Sequence, residues 1–272
     1  MTLPAGSWDT HCHVFGPADR FPWAEGRSYT PEEAPAEMLA AMHAAIGVSR
    51  AVIVHPACHG LDMTVTLDAI ARSGGRHRGI ALVATDIGAP ELAALHDGGI
   101  RGIRFNFARA LGQTPDPDTV LRLAERIAPL GWHAVFHFDP ADLVEFGPLA
   151  ERLPVPYVID HMGRIRAEDG IDAAPFRALL GYAADPRCWI KISGADRASS
   201  GAAPYADVEP FARAIVAAAP DRVLWGTDWP HPNVRGPVPR EADLIAFLTR
   251  VVPDGADRRR ILIDNPDRLY GN

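Results

Sequence analysis

Two histidines one residue apart, His11 and His13, stand in Trp8-Asp9-Thr10-His11-Cys12-His13 near the start of the chain. Alternate side chains of a β-strand share a face, so both imidazoles would project together, where they could ligate a metal or polarise a carbonyl. The same kind of signal recurs. His137 closes the run His133-Ala134-Val135-Phe136-His137, Asp160-His161 follows Tyr157-Val158-Ile159, and Asp228 follows Leu224-Trp225-Gly226-Thr227. His11, His13, His137 and Asp228 would together offer nitrogen and oxygen ligands to one divalent ion such as zinc. An open position would remain for a water whose pKa the ion lowers to roughly 7. His161 would then act on the substrate or on that water. Without a metal, Asp228 would be the general base and the imidazoles would polarise the carbonyl. Any one of these histidines could instead be a hydrogen-bonded core residue; their recurrence at the ends of apolar runs argues for a site.

Arg104, Arg109, Arg164 and Arg197 fall at or just beyond such ends. A guanidinium grips a carboxylate through two hydrogen bonds, so a pocket sharing several of them suits an acidic substrate; surface ion pairing is the plain alternative. Arg104, within Ile103-Arg104-Phe105, is expected to face inward. Tyr29, on a long N-terminal loop, could donate to a substrate or merely pack. His59, beside Cys58 and Gly60, could line a pocket or pack a loop. His231, between Pro230 and Pro232, reads as structural.

The elements that must hold these residues alternate in kind. Strands are expected over 8–13, 50–57, 78–84, 100–107, 133–138, 157–161, 189–193 and 223–227. Several are almost continuously apolar, as parallel strands covered on both faces are. Between them lie helical periods: Val208, Phe211, Ala212, Ile215 and Val216 follow i, i+3, i+4, i+7, i+8. Thr30-Pro31-Glu32-Glu33 has the form of a capping box opening a helix, and Gly131 that of a helix stop. Eight strands in this alternation, with no linker or repeat, predict a (β/α)8 TIM-type barrel as one domain over residues 1–272, a doubly wound open sheet being the alternative. In such a barrel the C-terminal strand ends converge, and those ends are where the polar residues stand.

Composition narrows the class. The chain has 272 residues, 47% of them hydrophobic, and a formal net charge of -7. That charge argues against nucleic acid as a partner, since phosphate binding needs clustered positive charge. Three cysteines without a Cys-x-x-Cys point to a reducing compartment. With no apolar run of membrane length and no leader pattern, a cytoplasmic protein is expected. A homo-oligomer is compatible with the sequence but not readable from it.

These segments together resemble the amidohydrolase superfamily, in the branch containing 2-pyrone-4,6-dicarboxylate lactonase. The likeness runs from Asp9 to Tyr270. It rests on Asp9-Thr10-His11-Cys12-His13-Val14-Phe15-Gly16-Pro17, Cys58-His59-Gly60, Gly102-Ile103-Arg104-Phe105-Asn106-Phe107, Asp160-His161-Met162-Gly163-Arg164, Leu224 to Pro232, and Asp264-Asn265-Pro266. The resemblance implies hydrolysis of a doubly carboxylated pyrone lactone. It implies catalytic roles for His11, His13, His161 and the water-activating Asp228, with Tyr29, Arg104 and Arg197 on the substrate. Two positions depart from the pattern. Where the family has a further carboxylate-binding arginine this chain has Ala110, with Arg109 beside it, and where it has a fifth-strand tyrosine this chain has His137. The lactonase is thought to work without a metal, whereas relatives with a fifth-strand histidine usually hold zinc. Both a single zinc-like ion and a metal-free site therefore stand open, and Arg104 would repel a second ion.

The function expected is opening of the ring ester of a small anionic lactone, 2-pyrone-4,6-dicarboxylate or a close relative. The alternatives are a sulfomuconolactone or sugar-acid lactone hydrolase, a metal-dependent decarboxylase of an aromatic or muconate-type acid, and a non-catalytic carboxylate binder. Product analysis separates hydrolysis from decarboxylation, and the presence of a base among the imidazoles argues against the binder.

Overall fold

The computed structural model describes residues 2–108, 114–234 and 236–271. Its centre is an eight-stranded, wholly parallel sheet in sequential order. The strands are β1 (Trp8–Cys12), β2 (Arg50–Val54), β3 (His77–Ala81), β4 (Ile100–Asn106), β5 (His133–His137), β6 (Tyr157–Ile159), β7 (Cys188–Lys191) and β8 (Val223–Leu224). Each expected strand is present, most of them ending a few residues early. After Val54 the ladder stops because Pro56 has no N–H to donate, and the chain turns into Ala57–His59.

The sheet curls into a (β/α)8 barrel whose last seam lies beyond β8. Thr10 N donates to Trp225 O at 3.0 Å, Asp228 N to His11 O at 2.8 Å and His13 N to Trp229 O at 2.8 Å. Closure of the barrel is therefore what brings Asp228 beside both histidines of β1. Gly226 makes the approach possible: a Cβ there would lie 2.6 Å from His11 N and 2.7 Å from His11 Cβ.

Helices cover the outside of the strands, and an apolar plug fills the lower interior. Trp8, Val52, Val54, Ile80, Val135, Val158, Trp189 and Leu224 pack there with Tyr270 from the C-terminal helix Asn265–Tyr270. Side chains of this kind stabilise by about 1.5–3 kcal/mol each when fully buried. Two residues further along three of the strands the same inward direction carries polar groups: Val158 is followed by Asp160, Trp189 by Lys191 and Val135 by His137. In β1, Trp8 and His11 both face inward although they are three apart, which strict alternation forbids; a register shift between Asp9 and Cys12 resolves this.

Helix Glu209–Ala218 buries Phe211, Ala212 and Ile215 on the expected stripe, and Gly131 ends its helix at φ 67°. The capping box over 30–33 does not form. That helix begins only at Ala36, because Ala34 pairs with Phe15 through two backbone hydrogen bonds and Glu33 accepts from Ala18 N at 2.7 Å. Pairing with the N-terminal loop outcompetes the local signal. No helix among the described residues is long and apolar enough to cross a membrane.

Candidate active site

The floor of the site is a buried charge network. Asp160, just past β6 and fully buried, has Oδ1 3.0 Å from Lys191 Nζ and 3.3 Å from His11 Nδ1, and Oδ2 3.2 Å from Arg104 Nε. Burial pushes this carboxyl up, but Lys191, His11 and Arg104 outweigh it and hold Asp160 well below the usual carboxylate range. Burial also lowers the Lys191 ammonium and takes His11 down to about 3, so that imidazole is neutral at pH 7.

Asp228 faces this floor from the closing seam. Its φ of 62° lies in the left-handed region, a strained position for a residue with a Cβ, and its N–H is held by His11 O. Oδ2 receives Arg197 Nε at 2.8 Å and lies 2.6 Å from Arg197 Nη2, which also donates to Pro232 O at 2.8 Å. Oδ1 is turned to the imidazoles, 3.2 Å from His13 Nε2, 3.6 Å from His11 Nε2 and 3.9 Å from His161 Nε2. Burial raises the Asp228 carboxyl, but Arg197, His161 and His13 more than reverse this and leave it well below its ordinary value.

His161 opens a left-handed run, with positive φ at His161, Met162, Gly163 and Arg164. Its Nδ1 lies 2.9 Å from Ser193 Oγ, and its ring centroid is 4.3 Å from that of His11. Gly194 permits this contact, since a Cβ there would come within 2.9 Å of His161 Cβ. Burial drives the His161 imidazolium far below its ordinary pKa.

The donor atoms also suit a cation. His13 Nδ1 lies 2.7 Å from Val54 O, a pure acceptor, so it carries the hydrogen and Nε2 offers a lone pair toward Asp228 Oδ1. Two acceptors facing each other at 3.2 Å call for a proton or a metal ion between them. His11, His13 and Asp228 form one group of possible ligands, and His11, Asp160 and His161 another; His137 joins no such group among the described residues.

The amidohydrolase family profile matches residues 8–272. This chain belongs to the amidohydrolase family. It is similar to a 2-pyrone-4,6-dicarboxylate hydrolase of Comamonas testosteroni, 42% identical over 98% of this chain and 91% of the relative. It is similar in nearly the same degree to a 4-sulfomuconolactone hydrolase of Hydrogenophaga intermedia, 41% identical over 100% of this chain and 90% of that protein. Among solved structures, a probable 2-pyrone-4,6-dicarboxylic acid hydrolase of Acinetobacter baumannii with citric acid bound superposes with a TM-score of 0.87 at 27% identity, covering 98% of this chain and 100% of that one.

In this amidohydrolase chain the barrel brings His11, His13, His161 and Asp228 together, with Arg104 on the floor. Of the four expected metal ligands it unites three. His137 stands apart, its ring centroid 5.7 Å from that of His161, because the fifth strand carries it to the Arg104 side of the site, where burial and Arg104 keep it neutral. Arg197 is engaged with Asp228 rather than free for a substrate carboxylate. Both ring nitrogens of His59 are taken by the N-terminal loop: Gly16 N donates to Nε2 at 3.4 Å and Nδ1 lies 3.1 Å from Pro22 O. Tyr29 packs beside Cys58 with Arg104 and Asp228 within electrostatic reach, and burial holds its phenol neutral. Arg109 lies outside the described residues.

Sequence reading missed Lys191 and gave Asp160 no role of its own. Lys191 stands inside the apolar run Cys188-Trp189-Ile190-Lys191-Ile192, two residues after an inward tryptophan. A lone lysine there was a usable signal, since a buried ammonium requires a partner. Asp9 was also passed over. Its carboxylate accepts from His11 N (3.1 Å), Thr227 N (3.0 Å) and Thr227 Oγ1 (2.6 Å), and lies 3.0 Å from His43 Nε2, tying β1 to the Asp228 seam.

Proposed function

We propose that this chain hydrolyses the ring ester of a small anionic lactone, 2-pyrone-4,6-dicarboxylate or a close relative such as a sulfomuconolactone, through a single amidohydrolase-like domain over residues 1–272 in the cytoplasm. The observation that carries the reading is the divided carboxylate of Asp228, with Oδ2 locked by Arg197 and Oδ1 turned to three imidazoles. Asp228 is the general base: it takes a proton from water as the water oxygen bonds to the lactone carbonyl carbon. Hydrogen-bond donors around His11 and His161 receive the charge that develops on the carbonyl oxygen. The ring C–O bond then breaks, and the proton held at Asp228 passes to the leaving oxygen, giving a hydroxyl group and a carboxylic acid that releases its proton to solvent as the carboxylate.

Charge supports an anionic substrate. Arg104, Lys191 and Arg197 gather three cationic groups at the floor and seam, with Asp160 and Asp228 as their contacting carboxylates and Asp9 and Asp196 farther off, a setting that suits a substrate carboxylate or sulfonate. Arg104 is the nearest candidate to grip it, with Tyr29 as a neutral donor beside it. His11, His13 and Asp228 would hold a divalent ion such as zinc, which when bound supplies a more acidic water and carbonyl polarisation.

The test is a turnover assay with 2-pyrone-4,6-dicarboxylate, 4-sulfomuconolactone and sugar-acid lactones, read by acid release and product mass. A product heavier than the substrate by one water supports lactone hydrolysis. Carbon dioxide release instead overturns it in favour of decarboxylation.

A further inference from the structure

His11 Nδ1 meets two unlike groups at nearly equal range, the Lys191 ammonium at 3.2 Å and Asp160 Oδ1 at 3.3 Å. They demand opposite tautomers. An ammonium has only donors, so a bond from Lys191 requires a lone pair on Nδ1 and moves the His11 hydrogen to Nε2; Asp160 would require that hydrogen on Nδ1. Of the two, the lysine contact is the better aligned as a hydrogen bond, and Asp160 Oδ1 is an ionic partner of both groups. Nε2 of His11 is buried, unpartnered, and aimed at the space beside Asp228 Oδ1.

We propose that Lys191 is a positioning residue that fixes His11 as the Nε2–H tautomer, so that His11 donates a hydrogen bond into the reaction space. His13 holds the opposite form, because Val54 O captures its Nδ1 hydrogen at 2.7 Å. The two histidines of one strand thus divide the work, His11 as donor to the developing oxyanion and His13 as the lone pair that shares with Asp228 Oδ1 the proton taken from water. In this form His11 Nε2 has no free lone pair, so an ion held by His11, His13 and Asp228 would have to displace its hydrogen. Asp160 is the counter-ion that keeps Lys191 charged, with Arg104 on its second oxygen. What the His11 hydrogen does rests on the lactonase reading; where it sits does not.

The experiment is a two-bond 1H–15N correlation spectrum of protein labelled with 15N-histidine, with His11 assigned by its loss in His11→Gln. The wild-type spectrum is expected to show His11 protonated at Nε2 and bare at Nδ1. Lys191→Met is expected to move the hydrogen to Nδ1, toward Asp160, and to lower kcat by about 100-fold with KM changed much less, the scale of losing one oxyanion donor. A wild-type His11 protonated at Nδ1 overturns the proposal, and that measurement needs neither a Lys191 variant nor a substrate. A folded Lys191→Met with an unchanged His11 pattern overturns it equally. Loss of lactonase activity on every lactone tested, with the predicted tautomer present, would count against the proposed function alone.

Discussion

Arg197 and Asp228 meet through a single carboxylate oxygen: Nε and Nη2 of the arginine lie 2.8 and 2.6 Å from Oδ2, and Oδ1 is left to the imidazoles. The guanidinium thereby orients the carboxylate, stabilises its charged form and leaves one oxygen for a proton. A lysine could supply the charge but not the forked geometry.

Asp228→Asn is expected to retain the fold, because the amide keeps an oxygen for Arg197, and to lose about 10²–10⁴ in kcat as a general base does. Steady-state rates on the substrate found by the lactone screen check this. Turnover within a few-fold of wild type would remove Asp228 from the mechanism.

Arg197 holds the Asp228 carboxyl below its ordinary value. A depressed carboxylate stays active down to its lowered pKa, so the acid limb of kcat/KM should lie below about pH 4, the ordinary aspartate value. Arg197→Met should move that limb upward while reducing kcat. An acid limb near pH 7 in the wild type would point instead to a metal-bound water. Elemental analysis, and assays after dialysis against a strong chelator, then decide whether an ion held by His11, His13 and Asp228 is needed.

Burial lowers His55 and His133, both away from the reacting atoms, to about 3. In the unfolded chain each would titrate near 6.5. A histidine whose folded pKa is depressed contributes stability that is complete above the unfolded pKa and is lost as pH falls from there toward 3. Urea midpoints should therefore be flat above pH 7 and decline below about pH 6.5, as the unfolding free energy falls by about 1.4 kcal/mol per pH unit for each such group. A midpoint unchanged between pH 7 and pH 5 contradicts this.

Gly226→Ala places a Cβ against the His11 backbone, where nothing can yield without opening the β1 seam. The expected cost is about 1–3 kcal/mol of stability, and activity should fall further than the stability loss alone explains, because Asp228 moves with the seam. Thermal melts and kcat measured together test the link; a variant as active and as stable as wild type refutes it.

The barrel was legible in the chain because parallel strands covered on both faces must be apolar runs, and Ala51-Val52-Ile53-Val54 or Tyr157-Val158-Ile159 admits little else. Polar residues at the ends of such runs need partners, which marks His11, His13, His161 and Asp228 in the sequence itself. Other features depend on what lies across the barrel. Trp8 and His11 share the interior only through an irregularity in the β1 register, and Lys191 finds Asp160 and His11 from strands far apart in the chain. The capping box at Thr30 yielded to pairing of Ala34 with Phe15 for the same reason. Local pattern records which face a residue must take and how much apolar cover it needs. The partner of a buried charge, the tautomer of an imidazole and the oxygen of a carboxylate left free are settled by groups that meet only when the ring of strands closes.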